Sequence, residues 1–429
     1  MSAPKRHCRA RTGWIRRMGD HRARAGGGPC RRDPTEASGC DAADAGVDSP
    51  RVSPERTESF RWLSTGDEAI AAMLAAIDNA RASIRFETYT FCDDEVGRNM
   101  LEAFIAAQRR GVKVQALIDA VGSVELSASF WAPLKSAGGE VRWFNPLHFE
   151  GFAFRDHRKL LVCDDWHAII GGFNVAREYL GDGVTSGWSD LGLRLTGPLA
   201  PELADAFDRM FSRSEFRHRR FMRWRNSVVN QVVRAHAGQL LLSGPGRERN
   251  PFKRALRADF ARAQSVQIIA AYFLPNRRLR RDLIRAAHRG AKVQLILAGK
   301  SDVAMARLAS RSLYSALLKA GIEIYEYQPQ ILHAKLIVID GAVYAGSANI
   351  DRRSLSINYE LMLRLTDQAL VAEARGLFQA KLALSRRINL AEWRKSQSWW
   401  RRLKQRWAYM ILARLDPFFV RWQYGRLPE

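Results

Sequence analysis

At 429 residues the chain is long enough for two domains with substantial cores, and its 68 Lys and Arg against 44 Asp and Glu leave a formal net charge of +24. Such a charge suits an anionic polymer or an anionic membrane surface and does not choose between them. No apolar run reaches the roughly 18–20 residues of a spanning helix, no compact apolar block follows the first arginines as in a secretory signal, and Cys8, Cys30, Cys40, Cys92 and Cys163 show no metal-ligand spacing and fit a reducing compartment.

Residues 1–58 are rich in Arg, Ala, Gly, Pro and Asp, lack apolar periodicity and read as a disordered basic segment. Residues 59–213 form a first unit. Residues 83–91 alternate like a strand, 96–110 read as a helix closed by Gly111, and 112–118 read as a second strand. A helix near 127–138 precedes the string His157-Arg158-Lys159-Leu160-Leu161-Val162-Cys163-Asp164, which is closed by Gly171-Gly172-Phe173-Asn174. A helix over 198–213 ends the unit. Residues 214–236 form a basic connector carrying Arg217, Arg219, Arg220, Arg223, Arg225 and Arg234.

Residues 237–385 repeat the plan. A strand over 266–273 opens the unit, Arg289-Gly290-Ala291-Lys292-Val293 echoes Arg110-Gly111-Val112-Lys113-Val114, and a helix is expected over 302–320. His333-Ala334-Lys335 then leads to Asp340 at the spacing of the first string, closed by Gly346-Ser347-Ala348-Asn349. The shared landmarks fall at nearly one offset, which indicates internal duplication. Residues 386–429 differ in character. Trp393, Trp399, Trp400, Trp407 and Trp422 lie among many arginines, and Trp400, Leu403, Trp407, Met410, Ile411 and Arg414 recur at helical spacing. This reads as an amphipathic, interfacial, membrane-binding tail continued by Pro417-Phe418-Phe419-Val420.

The chemistry lies in the repeated string. Residues 160–163 and 335–339 are apolar and read as buried strands. Side chains alternate along a strand, so His157 and Lys159 project to one side, as do His333 and Lys335. An imidazole beside an ammonium is a poor core pair, because an unpartnered buried charge is costly. It is a good pair for holding a phosphate oxyanion: histidine attacks or transfers protons near neutral pH, and lysine offsets developing negative charge. Each Gly-x-x-Asn is placed to cap a helix, and helix starts bind anions. Asp164 and Asp340 either orient a histidine or end their strands in turns. A single His-x-Lys is a weak signal in so basic a chain. Two with equal internal spacing are a strong one.

Two His-x-Lys-(x)4-Asp motifs in one chain resemble the signature of the phospholipase D superfamily. Trp188-Ser189-Asp190 with Arg194 and Gly197-Pro198, and the run from Asp351 to Glu360, are similar to the segments that follow the two motifs in bacterial cardiolipin synthases. The resemblance covers roughly residues 59–385. It points to the shorter, peripheral class rather than to members that begin with two transmembrane helices. It implies an α/β fold of two pseudo-symmetric phospholipase D-like domains, each a mixed, mostly parallel β-sheet flanked by helices, with the active site at their interface.

It further implies a metal- and cofactor-independent phosphatidyltransferase working through a phosphohistidine. His157 is the expected nucleophile and His333 the acid and base. Lys159, Lys335, Asp164 and Asp340 complete the catalytic set. Asn174, Asn349 and Ser347 are expected at the phosphate oxygens. Asp190 and Glu360 are expected beside the substrate, where each could fix the second nitrogen of a histidine. The expected partners are phospholipids, phosphatidylglycerol as acceptor, and an anionic membrane surface at the cytoplasmic face. The chain is expected to be a monomer and to bind no nucleic acid. The rival readings are a phospholipase D-type hydrolase or a nuclease of the same superfamily, and a non-catalytic membrane-binding protein. The Trp-rich tail disfavours the nuclease and two intact motifs disfavour the last.

Overall fold

A computed structural model describes residues 58–146, 154–214, 230–235, 238–245 and 250–415. The N-terminal 1–57 segment, Trp422, residues 417–420 and most of the basic connector lie outside the described residues.

The first half runs β1 (Ser59–Leu63), α1 (Gly66–Asn79), β2 (Ser83–Thr88), α2 (Glu95–Arg109), β3 (Lys113–Asp119), α3 (Ala132–Ser136) and β4 (Glu140–Phe144). It continues through β5 (Leu160–Cys163), β6 (His167–Gly171), β7 (Gly192–Thr196) and α4 (Leu199–Phe211). Local chemistry starts these helices. The Thr65 hydroxyl accepts from the Glu68 amide while the Glu68 carboxylate reaches back to the Ser64 amide, a reciprocal cap on α1. Asp94 caps α2 by accepting from Gly97 N.

The second half runs β8 (Gln231–Ala235), β9 (Gly238–Ser243), α5 (Pro251–Phe260), β10 (Ser265–Ala270), α6 (Arg277–His288) and β11 (Lys292–Lys300). Next come α7 (Ala304–Arg311), α8 (Tyr314–Lys319), β12 (Glu323–Ile331), β13 (Lys335–Ile339), β14 (Ala342–Gly346) and β15 (Glu360–Leu365). It closes with α9 (Gln368–Ala383), β16 (Ser385–Arg387), α10 (Leu390–Ser396) and α11 (Trp399–Met410). The helix expected over 302–320 is two helices. Between them the Ser312 hydroxyl donates to the Ala309 carbonyl at 2.6 Å, an alternative to the helical ladder that ends α7. The helix expected near 127–138 is a 3-10 turn, Ala128–Trp131, followed by the short α3.

The expected α/β class holds: two mixed sheets with helices against them. The first sheet has strand order β1-β7-β6-β5-β2-β3-β4 and the second β16-β12-β11-β10-β13-β14-β15-β9-β8. The expectation of mostly parallel pairing needs correction. Parallel neighbours are confined to β2-β3-β4 and β10-β11-β12 among the described residues. The rest are antiparallel, because each motif strand returns directly as a hairpin, β5-β6 and β13-β14, without a crossover helix.

A continuous apolar core joins the halves. It runs from Leu160, Val162 and Leu193 of the first sheet through Leu203 and Phe207 of α4 and Val371 and Phe378 of α9 to Leu336, Val338 and Leu363 of the second. Since β5 and β13 both line this core, burial of their apolar faces brings the two motif strands toward one another.

Candidate active site

Each histidine sits in extended chain just ahead of its motif strand, and each is tied to the opposite half by backbone pairing. His157 N donates to Tyr359 O at 3.0 Å and Tyr359 N to Arg155 O at 2.9 Å. In the other direction, Ser189 N donates to Ile331 O at 2.8 Å, and His333 N and Ala334 N donate to Ser189 O at 2.8 and 2.9 Å. These reciprocal bridges place Glu360 beside His157 and Asp190 beside His333.

The halves therefore exchange carboxylates. His157 Nδ1 lies 3.1 Å from a Glu360 carboxylate oxygen, and His333 Nδ1 lies 2.5 Å from Asp190 Oδ2. A carboxylate accepts, so Nδ1 carries the proton in each ring and Nε2 presents its lone pair. Glu360 is fully buried and also takes the Ser347 hydroxyl proton at 2.5 Å. Asp190 is fully buried and accepts from Leu191 N at 2.8 Å. Gly172 makes its approach possible, since a Cβ there would stand 2.1 Å from Asp190 Oδ1.

The lysines lie against the same groups. Lys159 Nζ donates to His157 O at 2.8 Å, and the Tyr89 ring centroid is 5.3 Å from that ammonium. Lys335 Nζ donates to His333 O and stands 2.9 Å from His333 Nδ1 and 3.2 Å from Nε2. An oxyanion held at Nε2 is thus within reach of an ammonium. Burial disfavours charge on every basic group here. Burial holds His157 down at about 4, with Lys159 adding and Glu360 opposing. Burial, followed by the neighbouring Lys335 charge, holds Lys159 at about 7. Burial and Lys335 also lower His333. Burial pushes Glu360 up, but His157 and hydrogen bonds outweigh it and bring the carboxyl to about 2. Asp190 is likewise held below its usual value, Lys335 and His333 outweighing burial. The result is two neutral imidazoles, each backed by an ionised carboxylate, with Lys335 beside them and Lys159, which a bound anion would charge fully.

His157, Lys159, His333, Lys335, Asp190 and Glu360 converge. Other expected residues take different parts. Among the described residues neither Asp164 nor Asp340 bonds to His157 or His333, which corrects the catalytic role expected for them. Asp164 accepts the amides of Arg81, Ala82 and Ser83, and Asp340 those of Gln264 and Ser265, each pinning the start of the strand beside its own. Both lie in the left-handed region, φ 54° and 46°, which aspartate tolerates better than most residues. Ser347 spends its hydroxyl on Glu360 rather than on substrate. The Asn174 amide is committed too: Nδ2 donates to Tyr179 Oη at 2.6 Å and Oδ1 accepts from Thr90 N at 3.1 Å. Asn349 Oδ1 is buried without a protein partner. No helix begins at either asparagine. A 3-10 turn, Arg177–Tyr179, follows Asn174 and turns follow Asn349, so the expected anion-binding helix starts are absent.

The sequence reading missed the aromatic walls. Tyr89 lies 5.1 Å from the His157 ring, and Tyr179 and Trp188 lie 5.4 and 5.7 Å from the His333 ring, centroid to centroid. It also missed Lys381 of α9, a buried lysine that donates to Ser189 Oγ at 2.6 Å behind Asp190. Its place within a long helical pattern carried no signal of this contact. Among the described residues no three His, Cys, Asp or Glu side chains form a metal-ligand set, and no helix is long and apolar enough to cross a membrane.

Comparison with known proteins agrees with this geometry. The family model described as "Cardiolipin synthase, PLD-like domain" matches residues 73–214 and again 256–382. Cardiolipin synthase B of Salmonella typhi is 30% identical over 378 residues, covering 86% of this chain and 91% of that one. The probable cardiolipin synthase YwiE of Bacillus subtilis is 30% identical over 349 residues, covering 77% and 67%. Among solved structures, phosphatidylserine synthase of Haemophilus influenzae superposes with a TM-score of 0.66 at 15% identity, covering 84% of this chain and 94% of that one, a likeness of fold.

Proposed function

Because the chain belongs to the cardiolipin synthase family of phospholipase D-like proteins, we propose that it transfers a phosphatidyl group from one phospholipid to the glycerol hydroxyl of phosphatidylglycerol through a phosphohistidine. The observation that carries this reading is the pair of crossed histidine–carboxylate contacts, each leaving Nε2 unprotonated, with Lys335 Nζ 3.2 Å from that atom of His333.

In the first step His157 Nε2 attacks phosphorus and the bond to the headgroup oxygen breaks. His333 Nε2–H gives its proton to that oxygen, and the alcohol leaves. Lys159 and Lys335 hold the non-bridging oxygens, and the bound phosphate's negative charge favours the second proton that His333 must carry. In the second step the incoming hydroxyl gives its proton to His333 Nε2, its oxygen attacks phosphorus, and the P–N bond breaks to return neutral His157. Dividing one hard displacement into two is the gain from covalent catalysis. No metal enters either step. Ionised Glu360 and Asp190 stabilise the positive charge that passes through each ring. The enzyme acts as a peripheral monomer at the cytoplasmic face, and the +24 charge supports the membrane part of this reading, since an anionic leaflet attracts it.

The test is lipid mass spectrometry after purified protein meets phosphatidylglycerol vesicles in EDTA. Cardiolipin with free glycerol is the expected result. Phosphatidic acid alone would make the protein a hydrolase. Inactivity on lipid with cleavage of nucleic acid would replace the reading altogether.

The pH profile should follow the free site. With His157 near 4, the nucleophile is neutral above that value and kcat/KM falls only in more acid solution. With Lys159 near 7, the phosphate-binding charge is present below neutrality and lost as pH rises through it. The alkaline limb should therefore have two sources, loss of the Lys159 charge and loss of the proton that His333 must carry in the first step, and only the first should disappear in Lys159→Gln. A wild-type profile that stays flat well above neutrality would contradict this assignment.

A further inference from the structure

Helix α11 presents its apolar stripe away from the protein. Trp399, Trp400, Leu403 and Trp407 fall within roughly a third of the circumference at about 3.6 residues per turn. They remain 62%, 58%, 37% and 55% exposed. Gln405 and Ala408, from the opposite side, are the buried residues of the helix. An amphipathic helix docked on its own protein would do the reverse. Trp399 and Trp400 stack at 3.7 Å on this outward face, and both stay exposed among the described residues. Arg401, Arg402, Lys404 and Arg406 are all exposed, and α11 carries no acidic residue.

The position of α11 is as informative as its face. It packs on α7, and Ala408 joins Leu274 and Ala309 in a small apolar cluster. Exposed Val303 and Met305 lie at the start of α7. Immediately before them stands Asp302, which accepts from Tyr272 Oη at 2.5 Å and whose charge reaches His333 and Lys335. Just beyond α11, Ala413 O accepts from Arg352 at 2.7 Å. Arg352 lies between Asp351, whose charge also reaches Lys335, and Arg353, whose charge reaches Tyr89 beside His157. The helix is therefore fastened at two points to segments that border the catalytic pocket.

We propose that the outward face of α11, with Val303 and Met305 of α7, is a membrane-docking surface that seats the pocket mouth against an anionic bilayer. Indole rings suit the headgroup boundary, and the flanking cations suit anionic headgroups. Docking there puts lipid phosphates beside the histidines without lifting a whole lipid through water. The proposal rests on the lipid reading above for its choice of partner.

The experiment compares the full chain with a Trp399→Ser/Trp400→Ser/Trp407→Ser variant. Flotation with vesicles of phosphatidylglycerol and phosphatidylcholine reports binding. Turnover is read on the same vesicles and on monomeric short-chain phosphatidylglycerol. The expected result is on the order of 100-fold weaker vesicle binding, a matching loss of vesicle turnover, and unchanged turnover of the monomeric lipid. In the wild type, brominated lipid should quench tryptophan emission, a readout that needs no variant. Wild-type binding by the variant, or absence of quenching, would overturn the surface. So would a wild-type dimer that the variant dissociates, which would make this face a contact between copies. If neither protein turns over either form of lipid, the functional reading fails while flotation still decides the surface.

Discussion

His333→Ala should lower phosphatidyl transfer by about 10²–10⁴-fold, the range a positioned general acid and base contributes, while vesicle binding persists. The reason is geometric. His333 Nδ1 is held by Asp190 at 2.5 Å, so in the proposed mechanism Nε2 is the site that exchanges protons with substrate. Lys335, 3.2 Å away, stabilises charge but is a poor proton carrier for both steps. Two accompanying results separate loss of the acid from loss of structure. A phosphodiester with an activated aryl leaving group needs no proton on departure, so the variant should lose far less activity on it. The second step then lacks its base, so a phosphatidyl adduct should accumulate on His157 and be found by mass spectrometry after rapid quenching. Retained transfer in His333→Ala would sink the two-histidine mechanism. An adduct elsewhere than His157 would reverse the assignment of nucleophile.

Arg158→Met should destabilise the fold by about 3–5 kcal/mol, the cost of stranding a buried charge, against a typical total of about 5–15 kcal/mol. Arg158 stands between His157 and Lys159 in sequence, and chain alternation turns it away from the pocket. Its Nη2 lies 2.8 Å from Glu87 Oε2, with the two side chains 4% and 0% exposed. Asp156 is completely buried beside them, and burial together with the Glu87 charge raises its carboxyl well above the usual range. One guanidinium thus faces the Glu87 carboxylate beside the strand that follows His157. Methionine keeps the stem and removes the cation. The urea midpoint should fall. Arg158→Met/Glu87→Gln should recover much of the loss, because removing both partners leaves no unpaired charge. A single variant within about 1 kcal/mol of wild type would refute this account.

Much of the architecture was legible in the sequence because it follows from local periodicity. The apolar runs at 160–163 and 335–339 are β5 and β13. The pattern over 96–110 is α2, one residue displaced. The aspartate ending each motif was readable as a turn residue, and its left-handed backbone explains why that residue type stands there. The balance of strand pairing was not legible. Alternation marks a strand without saying whether its neighbour arrives through a hairpin or a crossover.

The motifs identified both histidines and both lysines, because residue type and spacing alone express that chemistry. Two facts needed the tertiary structure. One is that each histidine is served by the other half's carboxylate, across 203 residues for Glu360 and 143 for Asp190. The other is that the aromatic stripe of α11 turns outward although its periodicity would serve equally well against a core. Periodicity settles which residues share a face. What that face meets depends on how separate elements pack, here on the apolar core through α4 and α9 that joins the sheets and on the small residues by which α11 rests on α7.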